Sequence, residues 1–129
     1  MRKYKLNTNY KQILADTITP VSVYLKIRDK FPNSILLESS DYHANDNSFS
    51  YICFNPIASI KVENQKIETN FPDGFSEIIP IDTEVNVAKE IENFSNQFQT
   101  EKSDFKFITQ GLFGYLAYDA IQYFEKVSI

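Results

Sequence analysis

The chain has 129 residues, 43% of them hydrophobic and 15% aromatic, enough for one domain with a real core. Its formal charge of -4 argues against nucleic-acid binding, which requires a basic face. No apolar run follows the basic start Arg2-Lys3-Tyr4-Lys5 or is long enough elsewhere to span a bilayer, and Cys53 is the single cysteine, so no signal peptide, no membrane segment and no internal disulfide are expected, with the cytoplasm as the expected compartment.

The elements follow in chain order. Tyr4 and Leu6 alternate weakly and suit an edge strand. Thr17 to Phe31 reads as an amphipathic helix, with Thr19 as N-cap, Pro20 in the first turn and Pro32 as the stop. Val21, Tyr24, Leu25 and Ile27 supply its apolar face. Ser34 to Ser40 is a short strand with an apolar centre, and Asp41 to Ser48 is a polar loop. Phe49 to Phe54 and Ala58 to Glu63 are strands interrupted by Pro56. Asn64-Gln65 turns the chain into a further strand, Lys66 to Thr69, and the three make an antiparallel meander. Phe71 to Pro80, with two prolines, reads as a connection. A second amphipathic helix spans about Val85 to Phe98, with Val87, Ile91, Phe94 and Phe98 on one face and Thr83 or Asn86 as cap. A strand from Phe105 through Gly111 to Tyr115 and a short helix from Tyr118 to Phe124 complete the pattern. The class is α+β, an antiparallel, sandwich-like sheet with flanking helices in a single domain over 1–129.

Little in the chain promises chemistry. His43 stands alone in a polar loop with no second ligand for zinc, and Cys53 lies within a strand pattern as a buried, inert thiol. No phosphate-binding glycine motif is present. Glu38 is the unusual carboxylate, because it directly follows Ile35-Leu36-Leu37. A charge at the end of an apolar strand must be paired, hydrated or turned toward a ligand. It either caps the strand and pairs with a lysine, or joins Ser39 and Ser40 in meeting the ammonium and polar edge of a small molecule.

Four segments together are more informative. Thr19-Pro20-Val21-Ser22-Val23-Tyr24-Leu25-Lys26, Leu36-Leu37-Glu38-Ser39, Phe49-Ser50-Tyr51-Ile52-Cys53-Phe54-Asn55-Pro56 and Gly111-Leu112-Phe113-Gly114-Tyr115-Leu116-Ala117-Tyr118-Asp119 occur in this order and spacing. They resemble the N-terminal region of anthranilate synthase component I, in the chorismate-utilising enzyme family. The resemblance runs over almost the whole chain. It implies the N-terminal regulatory domain of that fold, in a truncated or split form whose catalytic C-terminal part is absent. The intact subunit would convert chorismate and ammonia to anthranilate and pyruvate for tryptophan synthesis. Its Mg2+ and catalytic residues would lie in the absent part, and its ammonia would come from glutamine through a separate glutaminase subunit, component II. No catalytic residue, metal ligand or cofactor is expected here.

The resemblance also implies feedback inhibition by L-tryptophan. The pocket residues it points to are Leu37, Glu38 and Ser39, joined by Ser50 and Tyr51 on the neighbouring strand. Some family members carry a basic residue where this chain has Phe49, a contact that Ser50 or Tyr51 would have to replace. Alone, the chain is expected to turn over no chorismate and to bind tryptophan weakly or not at all. Two alternatives stand beside this. One is the corresponding region of aminodeoxychorismate synthase component I of the folate pathway, which the intact Leu-Leu-Glu-Ser run disfavours. The other is a stand-alone amino-acid-binding module, which the apolar stretch Gly111 to Glu125 disfavours because it calls for a neighbour. Such an unpartnered surface also admits a homodimer.

Overall fold

The computed structural model describes residues 2–38 and 49–125. Its elements are β1 (Tyr4–Lys5), α1 (Pro20–Ile27), β2 (Ile35–Glu38), β3 (Ser50–Cys53), β4 (Ser59–Glu63), β5 (Lys66–Asn70), β6 (Ser76–Pro80), α2 (Val87–Ser95), β7 (Phe98–Gln99) and a 3-10 turn over Tyr118–Tyr123. The mixed α+β character is as expected. The single antiparallel sheet is not. The described strands form three small sheets, β1–β7, β2–β3 and β4–β5–β6, and the first of these is parallel. The break between β3 and β4 has a local cause: Asn55 turns left-handed at φ 52 and Pro56 lacks the donor that a continuing ladder would use.

The chain divides into two compact units. One comprises residues 1–7, 57–101 and 114–129. It holds all four buried apolar side chains among the described residues, Ile67, Phe71, Val87 and Phe94. Asn86 caps α2 by accepting the Lys89 amide at 3.1 Å. The residues spaced three to four apart turn inward as their period requires, with Val87 and Phe94 buried and Ile91 half-buried. Rings then close the core. Phe94 meets Phe71 and Phe98 with centroids 5.3 Å away in each case, and Tyr4 stacks on Phe71 and Phe98 at 5.5 and 5.4 Å. Because Phe98 is held in this stack, α2 ends at Ser95 rather than continuing to Phe98, and the chain straightens to pair Tyr4 with Phe98. Asp73 ties down the other end of β1. It accepts from the Phe75 amide at 3.0 Å, the Tyr4 hydroxyl at 3.1 Å and Arg2 at 2.6 Å, which holds its carboxyl below the ordinary aspartate range.

Residues 71–80 are a hairpin and strand, not a connection. Phe71 and Phe75 flank Pro72-Asp73-Gly74, with Gly74 at φ +86 and the Phe71 amide bonded to the Phe75 carbonyl at 2.8 Å. Proline, aspartate and glycine in that order are turn chemistry, and that signal was present in the sequence. Pro80 is tolerated because it closes the edge strand β6, paired with Lys66 on one side only.

The turn from β4 to β5 is the expected Asn64-Gln65 pair, at φ 54 and 61, so both central residues are left-handed as in a type I′ hairpin. Gln65 has a Cβ in a conformation that costs an L-residue about 1–2 kcal/mol, while glycine there costs only about 0.5–1 kcal/mol of extra chain entropy. Gln65→Gly is therefore expected to stabilise the protein by about 0.5–1 kcal/mol, seen as a higher urea midpoint at unchanged slope. A lower midpoint would contradict this account of the turn.

The second unit comprises residues 8–56 and 102–113. Thr19 and Ser22 form a reciprocal capping box, with the Ser22 amide on the Thr19 hydroxyl at 3.1 Å and the Thr19 amide on the Ser22 hydroxyl at 3.2 Å. The helix α1 is shorter than the expected 17–31 and ends where Arg28-Asp29-Lys30 turn off, a full turn before Pro32. Its inner face is Val23, Tyr24 and Ile27, while Val21 and Leu25 are about half exposed. It packs on β2 and β3. The expected strand through Phe105 to Tyr115 does not form. Phe105 and Phe107 stack face to face at 4.9 Å, and the Ile108 amide bonds to a side chain instead of a neighbouring strand.

Candidate functional site

The β2 strand exists because Ile35-Leu36-Leu37 is a short apolar run that follows the Pro32-Asn33 turn. It pairs antiparallel with β3 in the register Ile35↔Cys53, Leu36↔Ile52, Leu37↔Tyr51 and Glu38↔Ser50. Four of the five residues singled out from the sequence are thus two directly opposed pairs at one end of a hairpin. The fifth, Ser39, lies outside the described residues, as does His43.

Opposed residues share a face and successive residues alternate between faces. Glu38 and Ser50 therefore project from one side of the hairpin, and Leu37 and Tyr51 from the other. A single flat surface cannot present all four. Glu38 and Ser50 are exposed, and Leu37 and Tyr51 are half-buried. Among the described residues no lysine or arginine lies within ion-pair distance of Glu38, so the lysine pairing expected of a plain strand cap is not seen among them. The Glu38–Ser50 end offers water, or a ligand, a carboxylate and a hydroxyl side by side. Such a pair suits an ammonium group with a neighbouring acceptor or donor.

The other face is occupied. The Tyr51 hydroxyl accepts the Ile108 amide at 3.0 Å, and its ring meets Phe113 at 5.5 Å. Phe49, on the same side by alternation, packs against Phe107 at 5.4 Å. Phe49 thus spends its ring on an internal contact. Cys53, opposite Ile35, is half-buried, and burial raises its thiol pKa, which leaves little thiolate for chemistry.

Two open depressions lie in the other unit. One, of about 510 Å3, is lined by residues 81–87 with Gln122 and Tyr123, and one of about 530 Å3 by Arg2, Phe71, Phe75, Glu77 and Gln97. Neither includes a residue of the hairpin. Among the described residues no three His, Cys, Asp or Glu side chains come together to hold a metal ion, and no helix is long and apolar enough to cross a membrane.

Comparison with known proteins points in one direction. The chain is similar to a protein of Lactococcus lactis subsp. lactis named anthranilate synthase component 1, with 34% identity over 119 residues, 91% of this chain and 24% of the relative. Proteins of the same name from Pseudomonas putida and Aquifex aeolicus share 32% identity over 116 residues and 27% over 131, covering 89% and 98% of this chain and 23% and 26% of theirs. No protein-family model matches the chain. No solved structure matches it either. The relatives define a class of biosynthetic enzyme subunits. Within that class the chain belongs to the anthranilate synthase component 1 family, and it spans about a quarter of the length of the relatives it matches.

Proposed function

We propose that residues 1–129 are the N-terminal regulatory domain of an anthranilate synthase component 1, and that the Glu38–Ser50 end of the β2–β3 hairpin is half of its feedback site for L-tryptophan. The observation that carries this reading is the register, which sets Glu38 against Ser50 at an exposed strand end in a chain with these relatives. Glu38 and Ser50, with Ser39, would meet the amino-acid head group. Leu37 and Tyr51 would support the site from the hairpin's far side. The rest of the pocket, the Mg2+ site and the chemistry converting chorismate and ammonia to anthranilate and pyruvate belong, on this reading, to the remainder of such a subunit. A glutaminase, component II, would deliver the ammonia, and the assembly would work in the cytoplasm.

The exposed apolar side chains of the last motif support a larger parent over a self-sufficient module. Tyr115, Leu116 and Tyr118 are 87%, 72% and 88% exposed, and Leu112, Ile121 and Phe124 are about half exposed. A run of this kind left facing water marks a contact surface.

The test is an amide NMR titration of the chain with L-tryptophan, with L-phenylalanine and chorismate as controls. Weak but saturable shifts at Leu37, Glu38 and Ser50 are expected for tryptophan alone. Equal shifts with phenylalanine, or none up to millimolar tryptophan, would remove the half-site from this chain. With chorismate, ammonia and Mg2+, the purified chain is expected to form no anthranilate.

A further inference from the structure

Among the described residues the Tyr51 hydroxyl gives the hairpin a side-chain hydrogen bond to a distant segment, accepting the Ile108 amide across 57 residues of chain at 3.0 Å. Its ring contact with Phe113 and the Phe49–Phe107 contact flank that bond. Residues 107–113 are therefore pinned to the face of β3 turned away from Glu38 and Ser50. The segment has no strand ladder of its own to hold it. The Tyr51 bond thus carries a share of its positioning that in a sheet would fall to several backbone bonds.

We propose that Tyr51 is a positioning residue that transmits occupancy of the Glu38–Ser50 end to residues 107–113, without touching the ligand itself. This rests on the reading of that end as an amino-acid half-site. Ser50 and Tyr51 are adjacent on a paired strand, so a ligand that draws on Ser50 from one face moves the Tyr51 oxygen on the other. Hydrogen bonds weaken steeply with length and misalignment, so a small displacement is felt at the Ile108 amide. A contact shared between two faces of one strand is a physical route for coupling, and its value is the difference in the bond between the free and occupied states.

Tyr51→Phe removes the acceptor and keeps the ring, so the Phe113 contact remains. In the 129-residue chain this variant is expected to speed deuterium exchange of the Ile108 amide about tenfold, with the Ile52 amide changed by less than about twofold. In the wild-type chain, L-tryptophan is expected to shift Glu38, Ser50 and Ile108 along one saturation curve. In Tyr51→Phe the Glu38 and Ser50 shifts should persist and the Ile108 shift should vanish. Unchanged Ile108 exchange in the variant overturns the tie, whatever tryptophan does. A surviving Ile108 shift overturns the transmission. Loss of the Glu38 and Ser50 shifts makes Tyr51 a direct ligand contact and overturns the assignment. Absence of every tryptophan shift in the wild-type chain overturns the half-site reading and the transmission with it, while the exchange result still decides the tie.

Discussion

Phe94→Ala is expected to destabilise the chain by about 3–5 kcal/mol, the largest effect of any single substitution considered. Phe94 is 2% exposed and meets Phe71 and Phe98 at 5.3 Å. Truncation removes the ring's transfer free energy and leaves a cavity whose walls are other rings, which cannot collapse freely. A domain of this size typically holds about 5–15 kcal/mol in all, so the loss takes a large share. The core that depends on Phe94 also fixes β1 through Tyr4, so the parallel β1–β7 pair should melt with it. Urea unfolding followed by far-UV circular dichroism measures the effect. Lys89→Ala is the control on the outer face of the same helix, where an exposed pair with Glu92 at 3.2 Å is worth about 0.3–0.5 kcal/mol. A loss below about 1 kcal/mol for Phe94→Ala would mean that the ring does not close the core.

Glu38→Ala is expected to weaken tryptophan binding about ten- to hundredfold, since a hydrogen bond to a charged group contributes about 1.5–3 kcal/mol. For a weak half-site this reads as loss of saturation in the titration. The fold should not change, because Glu38 is exposed and makes no ion pair among the described residues. An unchanged amide spectrum outside the hairpin end is the check on that point. A variant that titrates like the wild type would place the ammonium group elsewhere and reduce Glu38 to a hydrated strand end. Ser50→Ala should act in the same direction and more weakly, having lost a neutral partner.

Helix starts were the most legible part of the fold. Thr19 with Pro20 announces the first through local capping chemistry that needs no tertiary information, and of the two caps offered for the second, Thr83 and Asn86, the structure uses Asn86 and starts the helix at Val87 rather than Val85. Helix ends were less so. The ends of α1 and α2 fall short of the periodic pattern because Arg28 to Lys30 offer no inward apolar group and because Phe98 is claimed by Tyr4 and Phe71. The β5–β6 hairpin is hard to read although Pro72-Asp73-Gly74 signals it, because two prolines in ten residues argue against a strand until one is seen to sit at a turn and the other at an edge. The strand from Phe105 failed for the opposite reason. Its residues are good strand formers, but a strand needs a partner, and Ile108 found a tyrosine hydroxyl.

The sequence by itself determined the class α+β, the Thr19 cap, the Asn64-Gln65 turn and, through its motifs, the family and the two strands that carry Glu38 and Ser50. These rest on local backbone preference and residue identity, which are present in the unfolded chain. Only the tertiary structure decided that Glu38 faces Ser50, that Leu37 and Tyr51 look the other way, and that Tyr51 is committed to Ile108. Register and face depend on which strands pair. A shift of one residue would exchange the two faces, and no local signal in either strand states which alignment holds.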